Sequence, residues 1–403
     1  MAEPTPDGLR ATVRAWLEQN WHPGADRFEF LESVVAAGYA VPRWPVEMFG
    51  LGLASELADV IEEEFARAGA PGAGQDLTNL WAGTLRRHAP AELRDALLRR
   101  VLAGGVHMCL LYSEPGAGSD LAGLQTRADA DGDGWSVTGQ KVWTSNAHRA
   151  EYGFLLARTD WDVPKHEGIS FFLLPMRQPG VEVRPLRQIT GESHFNEVFI
   201  DHARVPSGHL LGQLGGGWAV LQTALSYERA HMAGRSRRPA GDAGSAGQAT
   251  VRPGEDLDIL ALAVELGAHR DPLLRQELAR VATLQKVLQW NAQRARDASG
   301  RGRETPLPLL AKLAMSRFLH QRARLQSRLL GAEATLDGPA SARASSANFL
   351  ALNAYFTSIG GGTDEIQHNI IGERLLGLPR EPATDRGVPF RQVLKATNPR
   401  TAR

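Results

Sequence analysis

Two short stretches combine residue types that can hold a polar, flat ligand. Tyr112-Ser113-Glu114-Pro115-Gly116-Ala117-Gly118-Ser119-Asp120 follows the apolar run Met108 to Tyr112, so a strand is expected to end in a turn there. Its glycines let a ligand approach the backbone, and Ser113 and Ser119 offer hydroxyls. Further on, Lys141-Val142-Trp143-Thr144-Ser145-Asn146 places an indole beside small hydroxyls. Taken singly, the first stretch is equally an ordinary turn and Trp143 equally a core residue. The chemistry that other motifs would bring is missing: the chain has no G-x-G-x-x-G, no Gly-Lys pair, no H-E-x-x-H and no G-x-S-x-G. Nicotinamide, ATP, zinc-protease and lipase chemistries lose ground accordingly. The histidines are scattered, and a lone one such as His107 or His194 is expected to be structural or at the surface.

Three stretches of different periodicity must position these residues. Up to about residue 107 the pattern is helical. Ser55 is expected to cap a helix whose Leu57, Val60, Ile61 and Phe65 share an apolar face while Glu62, Glu63, Glu64 and Arg67 lie elsewhere. Ala91 to Leu102 repeats that pattern, and Gly69 to Gly74 is a connector. From about 108 to 212 short strands are expected: Trp135 to Thr138 after the turn Asp131-Gly132-Asp133-Gly134, then Tyr152 to Ala157, Ile169 to Leu174 and Val198 to Ile200. Strands separated by turns without helices imply an antiparallel sheet or barrel. From about 217 helices return: Pro272 to Ala298 behind an Asp271 cap, Pro308 to Leu330, and Asp364 to Leu376. Long amphipathic helices joined by short breaks suit a bundle. Residues 233 to 256, rich in Gly, Ala, Arg and Pro, are expected to form a loop.

A length of 403 residues allows two or three domains. Lys plus Arg and Asp plus Glu balance at 45 each, which gives no overall field for nucleic acid or an anionic membrane. The single cysteine, Cys109, excludes an internal disulfide and a thiolate metal cluster, so no metal is expected. It lies in an apolar run and is expected to be a buried structural thiol. The chain begins acidic, without a leader pattern, and has no apolar run long enough for a membrane span, so a cytoplasmic location is expected.

Taken together the two ligand stretches resemble the acyl-CoA dehydrogenase family, whose signatures run T/S-E-P-G-A-G-S-D and G-Q-K-x-W-x-(S/T)-N. The resemblance extends through Trp44-Pro45-Val46-Glu47, Gly216-Gly217-Trp218, Glu228-Arg229, Gly361-Gly362-Thr363-Asp364-Glu365-Ile366-Gln367 and Glu373-Arg374-Leu375-Leu376-Gly377-Leu378-Pro379-Arg380, and so covers almost the whole chain. It implies a mainly α fold with a central β domain: a helical N-terminal domain (1–107), a β-barrel (108–214) and a C-terminal four-helix bundle (215–403). It also implies bound FAD. Carried over by position, Tyr112, Ser113, Gly118, Ser119, Trp143 and Ser145 would line the flavin and its ribityl chain, and Thr363 and Glu365 would touch the rest of FAD. Ser119, Arg229, Gly360 and Gly361 would contact an acyl-CoA or acyl-carrier thioester. An electron-transfer flavoprotein partner and a homo-oligomer, dimer or tetramer, are implied as well.

The reaction needs a carboxylate to take the proton α to the thioester. Many family members supply a Glu just before the Gly-Thr of the C-terminal signature, where this chain has Gly361. A second branch, resembling isovaleryl-CoA dehydrogenase, carries its Glu on a bundle helix immediately before an Arg, which here is Glu228-Arg229. That match makes Glu228 the candidate base; it shares a helical face with Trp218, Leu221 and Leu225, an apolar setting that raises a carboxyl's pKa toward the range useful for proton transfer, and a surface ion pair with Arg229 or Arg235 is the plain alternative. Gly360-Gly361-Gly362 is either a simple helix break or a floor cleared for a branched or ring-bearing acyl group, with the N–H at 361 able to bond the thioester carbonyl. Glu265-Leu266-Gly267-Ala268-His269-Arg270 replaces the Arg-x-x-Phe-Gly of many relatives, and Arg328 stands where Gln is common. A same-fold flavin oxidase or monooxygenase, and a non-catalytic partner subunit of a hetero-oligomer, are the rival readings.

Overall fold

The structure, a computed structural model, describes residues 5–234, 258–300, 305–338, 341–383 and 385–397. They form two compact units. The first comprises 1–186, 193–247 and 383–403, the second 187–192 and 248–382.

The first unit opens with five helices, α1 (Pro6–Asn20), α2 (Arg27–Ala36), α3 (Ser55–Ala68), α4 (Leu80–His88) and α5 (Ala91–Leu102). Side chains cap α1, α2 and α4: Thr5, Asp26 and Asn79 accept from backbone N–H groups of the first turn. The cap of α3 is Ala54, one residue earlier than expected, and Ser55 is its first helical residue. The apolar face of α3 is as expected, but Glu64 is not elsewhere: it is 1% exposed. Arg10 (2.7 Å), Arg14 (2.7 Å) and Arg67 (2.6 Å) surround its carboxylate and, with Arg14 the largest influence, lower its pKa to about 2.

Eight strands follow: β1 (Met108–Leu111), β2 (Arg127–Asp131), β3 (Gly134–Ser145), β4 (Tyr152–Arg158), β5 (Ile169–Pro175), β6 (Val181–Leu186), β7 (Phe195–Pro206) and β8 (Leu210–Leu211). The sheet order is β6-β7-β3-β2-β4-β5-β8. Each expected strand is present, and β3 and β7 run much further than the hydrophobic runs that marked them. Pairing is not wholly antiparallel. β1 lies parallel to β4, Met108 opposite Tyr152, because the chain forms the β2–β3 hairpin before returning beside β1. Alternation decides which core each residue enters. Phe154, Leu156, Phe171 and Leu173 join the helices in one cluster, while Leu155, Ala157, Phe172 and Leu174 join Cys109, Val137 and Val198 in another. Cys109 is the buried thiol expected, and burial pushes its pKa well up.

Helix α6 (Gly217–Gly234) packs on α4 and β5, and α12 (Phe390–Thr397) ends the described chain; both belong to the first unit. The second unit holds α7 (Ile259–Glu265), α8 (Pro272–Gly300), α9 (Leu307–Leu330), α10 (Ala342–Ile359) and α11 (Asp364–Ile370). Asp271 caps α8, accepting from Leu273 N at 2.7 Å. The core of this unit runs through Leu278, Val281, Phe318, Leu319, Leu325, Leu350 and Ala354, where α9 is flanked by α8 and α10. The single helix expected over Asp364 to Leu376 is instead seven α-helical residues followed by a π-helical turn, Ile371–Leu375, around the helix-weakening Gly372. Most of the expected 233–256 loop lies outside the described residues.

Candidate active site

The two ligand stretches are physically joined. Lys141 on β3 is fully buried, and its Nζ donates to the Tyr112 carbonyl at 3.1 Å and to Glu114 Oε1 at 2.8 Å. Val142 N donates to the Ser113 carbonyl at 3.0 Å. Glu114 also accepts from Gln125 N (2.7 Å) and Thr126 N (2.8 Å), so one carboxylate closes both ends of the loop. Burial pushes the Glu114 carboxyl up, but Lys141 and the donors outweigh it and hold it below the ordinary range. Burial pushes Lys141 down and Glu114 opposes that shift. The Glu and Lys of the two signatures are therefore scaffold, and the exposed Gly116, Gly118 and Ser119 are what the loop presents outward.

Trp143 is not core. The β3–β7 register shifts between Lys141 and Thr144, a bulge, and Trp143 takes φ 62° there. The left-handed backbone leaves the indole 58% exposed, held edge-on by Phe195 at 6.0 Å between centroids. A left-handed conformation in a bulky residue costs on the order of 1–3 kcal/mol, and such outliers gather at ligand sites. Beside it the Thr144 hydroxyl is buried without a hydrogen-bond partner, and Ser145 is half-buried.

Helix α6 carries Glu228 to the first stretch. Its seating is fixed on α4, where a Cβ on Gly83 would lie 2.3 Å from the Tyr227 ring, so only glycine permits the approach. His88 Nε2 lies 2.9 Å from Thr223 Oγ1 across the same contact. Glu228 is half-buried on the face of Trp218, Leu221 and Leu225. Tyr112 is 8% exposed, and its hydroxyl is buried without a hydrogen-bond partner. Burial raises the phenol's pKa well above its usual value, and the Glu228 carboxylate raises it further. Tyr112 stands at the root of the glycine loop, and Glu228 on α6 belongs to the same unit. The side chain of Arg229 lies outside the described residues.

In the second unit Gly361 (φ 66°) and Gly362 (φ 88°) form the turn between α10 and α11, backbone that a glutamate at 361 would strain. Thr363 caps α11, accepting from Ile366 N at 3.2 Å, and Glu365 is exposed on its first turn. Asp364 anchors the turn, accepting from the buried Ser316 at 2.7 Å and from Lys312 at 3.4 Å. Sequence reasoning gave no role to Lys141, Asp364 or Ser316. A lysine inside an otherwise apolar and hydroxyl-rich strand was the available signal for the first; the others pair across 48 residues and leave none. Among the described residues no group of three His, Cys, Asp or Glu could hold a metal ion, and no helix is long and apolar enough to cross a membrane.

Comparison with known proteins gives the family. The family model for the acyl-CoA dehydrogenase middle domain matches residues 109–202, and that for the C-terminal domain matches 261–376. Acyl-CoA dehydrogenase IpdE1 of Mycolicibacterium smegmatis is 35% identical over 93% of this chain and 98% of its own. Acyl-CoA dehydrogenase FadE34 of Mycobacterium tuberculosis is 36% identical over 85% of this chain and 45% of its own. The solved structure of the Tcur3481-Tcur3483 steroid ACAD has a TM-score of 0.70 at 27% identity, covering 93% of this chain and 98% of that one. The ChsE4-ChsE5 complex from Mycobacterium tuberculosis gives 0.65 at 27% identity, covering 94% and 99%. With two domain models and a relative matched over nearly its full length, the chain belongs to the acyl-CoA dehydrogenase family and is an FAD-dependent enzyme of that type.

Proposed function

We propose that the enzyme introduces an α,β double bond into a thioester with a ring-bearing acyl group, and that Glu228 takes the α-proton. The observation that carries this reading is the half-buried place of Glu228 on the apolar face of Trp218, Leu221 and Leu225, in a chain with no carboxylate at 361. The residues present fit FAD. An indole held off the sheet on a left-handed residue offers a flat face, the unpaired Thr144 and Tyr112 hydroxyls offer hydrogen bonds, and a Cβ on Gly116 or Gly118 would meet nothing within 4 Å. Trp143, Ser145, Ser113, Gly118 and Ser119 would hold it here, with Thr363 and Glu365 serving its remainder. When bound, FAD accepts the hydride from the β-carbon. The protein's part is to hold Glu228 in an apolar, half-buried place from which it takes the α-proton.

Support for a ring-bearing acyl group comes from three successive residues without side chains, Gly360–Gly362, and from a 27% identical relative described as a steroid ACAD. The Glu-Arg pair on α6 supports the branch resembling isovaleryl-CoA dehydrogenase. The division at about 107 and 214 is proposed too, with the family-model spans 109–202 and 261–376 in its support. Two relatives at 27% identity are complexes named by two components, which favours a second chain of the same family as partner over a homo-oligomer. The test is a panel of CoA thioesters, straight, branched and polycyclic, mixed anaerobically with the FAD-loaded protein, alone and with such a partner. Bleaching of the flavin with loss of two hydrogens from a polycyclic thioester supports the reading. Bleaching by straight chains alone, or oxygen consumption without a thioester, overturns it.

A further inference from the structure

Arg158 ends β4 and is fully buried. Its guanidinium donates from Nε to the Leu124 carbonyl (3.2 Å), from Nη2 to the Ala122 carbonyl (2.7 Å) and from Nη1 to the Lys165 carbonyl (3.1 Å). Ala122 and Leu124 belong to the turn that follows Ser119 and Asp120. Burial lowers the pKa of Arg158 to about 10, with Glu114, Asp120 and Asp160 opposing that shift, so the group remains a cation. The structure closes it over with an aromatic ring instead. Phe390, 2% exposed, lies with its ring centroid 3.6 Å from Arg158 Cζ.

Phe390 comes from the far end of the chain, and its segment is docked along the loop after β4. Phe390 N donates to the Val163 carbonyl (2.9 Å), Arg391 N donates to the Trp161 carbonyl (2.9 Å), and Pro389 bridges Pro164. Arg391 pairs with Asp162 at 2.8 Å. Lys165 then ties the two ends together: its Nζ lies 2.7 Å from Asp385 of this segment and 3.0 Å from Asp120 of the ligand loop. Two independent routes, Phe390 through Arg158 and Asp385 through Lys165, lead from the C-terminal segment to the same dozen residues.

We infer that residues 385–391 form a strap whose Phe390 and Asp385 are positioning residues, holding the 119–124 turn, and with it the ligand loop, in its binding conformation. Its consequence for the cofactor rests on the reading above that Ser113–Asp120 contacts FAD. Phe390 is buried against a cation that has no carboxylate at hydrogen-bond distance among the described residues, which makes the contact specific. An aliphatic residue of similar size would fill the space and lose the attraction.

The test is hydrogen–deuterium exchange of the FAD-loaded protein, with an FAD titration by flavin fluorescence, on Phe390→Leu and on Asp385→Asn. The second variant removes a partly exposed carboxylate and leaves the core intact. The amides of Gly123, Leu124, Gln125 and Thr126 are all hydrogen-bonded within the loop and serve as reporters. Both variants are expected to speed exchange at these amides about tenfold while that of β7 is unchanged, and to raise the Kd for FAD several-fold. Exchange at 123–126 that stays as in the parent, or that speeds up equally throughout the protein, overturns the strap. Faster exchange at 123–126 with an unaltered Kd upholds the strap and overturns the assignment of the loop to FAD.

Discussion

Replacing Lys141 by Met removes the buried cation that joins the two ligand stretches, with little change of shape. Lys141 has two acceptors, Glu114 Oε1 and the Tyr112 carbonyl. Its loss leaves a carboxylate whose side chain is 9% exposed, still bonded by two backbone N–H groups, and strands a buried carbonyl. Breaking a buried ion pair from one side costs about 3–5 kcal/mol; the two remaining donors keep Glu114 near the lower end, and the carbonyl adds about 1 kcal/mol. The expected loss is therefore about 3–4 kcal/mol. Removing the stranded charge as well, in Lys141→Met with Glu114→Gln, should recover about 2 kcal/mol of that loss. Urea unfolding of the FAD-free protein, followed by tryptophan fluorescence, measures both. Among the described residues only the Val142 to Ser113 hydrogen bond then ties the stretches, so FAD affinity should fall about tenfold or more. A single variant within about 0.5 kcal/mol of the parent, with unchanged FAD affinity, would refute the scaffold role.

Trp143→Gly relieves the left-handed backbone and should raise the stability of the FAD-free protein by about 1 kcal/mol while weakening flavin retention. Lower stability with flavin retention unchanged would return Trp143 to a packing role. Glu64 is held near pH 2 by its arginines, against an ordinary value of 4.5, so its contribution is present above about pH 4.5 and is lost as the pH falls toward 2. The arginines are a third to more than half exposed, which limits that contribution to about 1–2 kcal/mol. Glu64→Gln should remove it and flatten the stability profile over that window, measured by urea unfolding at stepped pH; a parallel profile in the variant contradicts the assignment.

What the sequence made legible was local. β4 and β5 show as apolar runs because both faces are buried, and α8 shows because Asp271 and Pro272 mark its start. The two ligand stretches were legible as turns with hydroxyls, and the missing carboxylate at 361 directed attention to Glu228. The rest depends on partners distant in the chain. Glu64 looks like a surface residue until Arg10 and Arg14, on another helix, are brought to it. The parallel pairing of β1 with β4 needs the hairpin between them. Trp143 gave no local sign of its left-handed bulge, because the shift in register belongs to the β3–β7 pair and not to either strand alone. Arg158 lies just past the expected strand Tyr152 to Ala157 and is a buried cation, because Phe390 reaches it from the far end of the chain.

The role of Glu228 is tested most directly by single-turnover reduction of the flavin in Glu228→Gln, with FAD stoichiometry measured on the same sample. The variant should hold its full complement of FAD and bind the thioester, yet bleach about 10²- to 10⁴-fold more slowly than the parent, the loss typical of removing a positioned base. Bleaching at the parent's rate with FAD at full occupancy would contradict the account and place proton abstraction on another group.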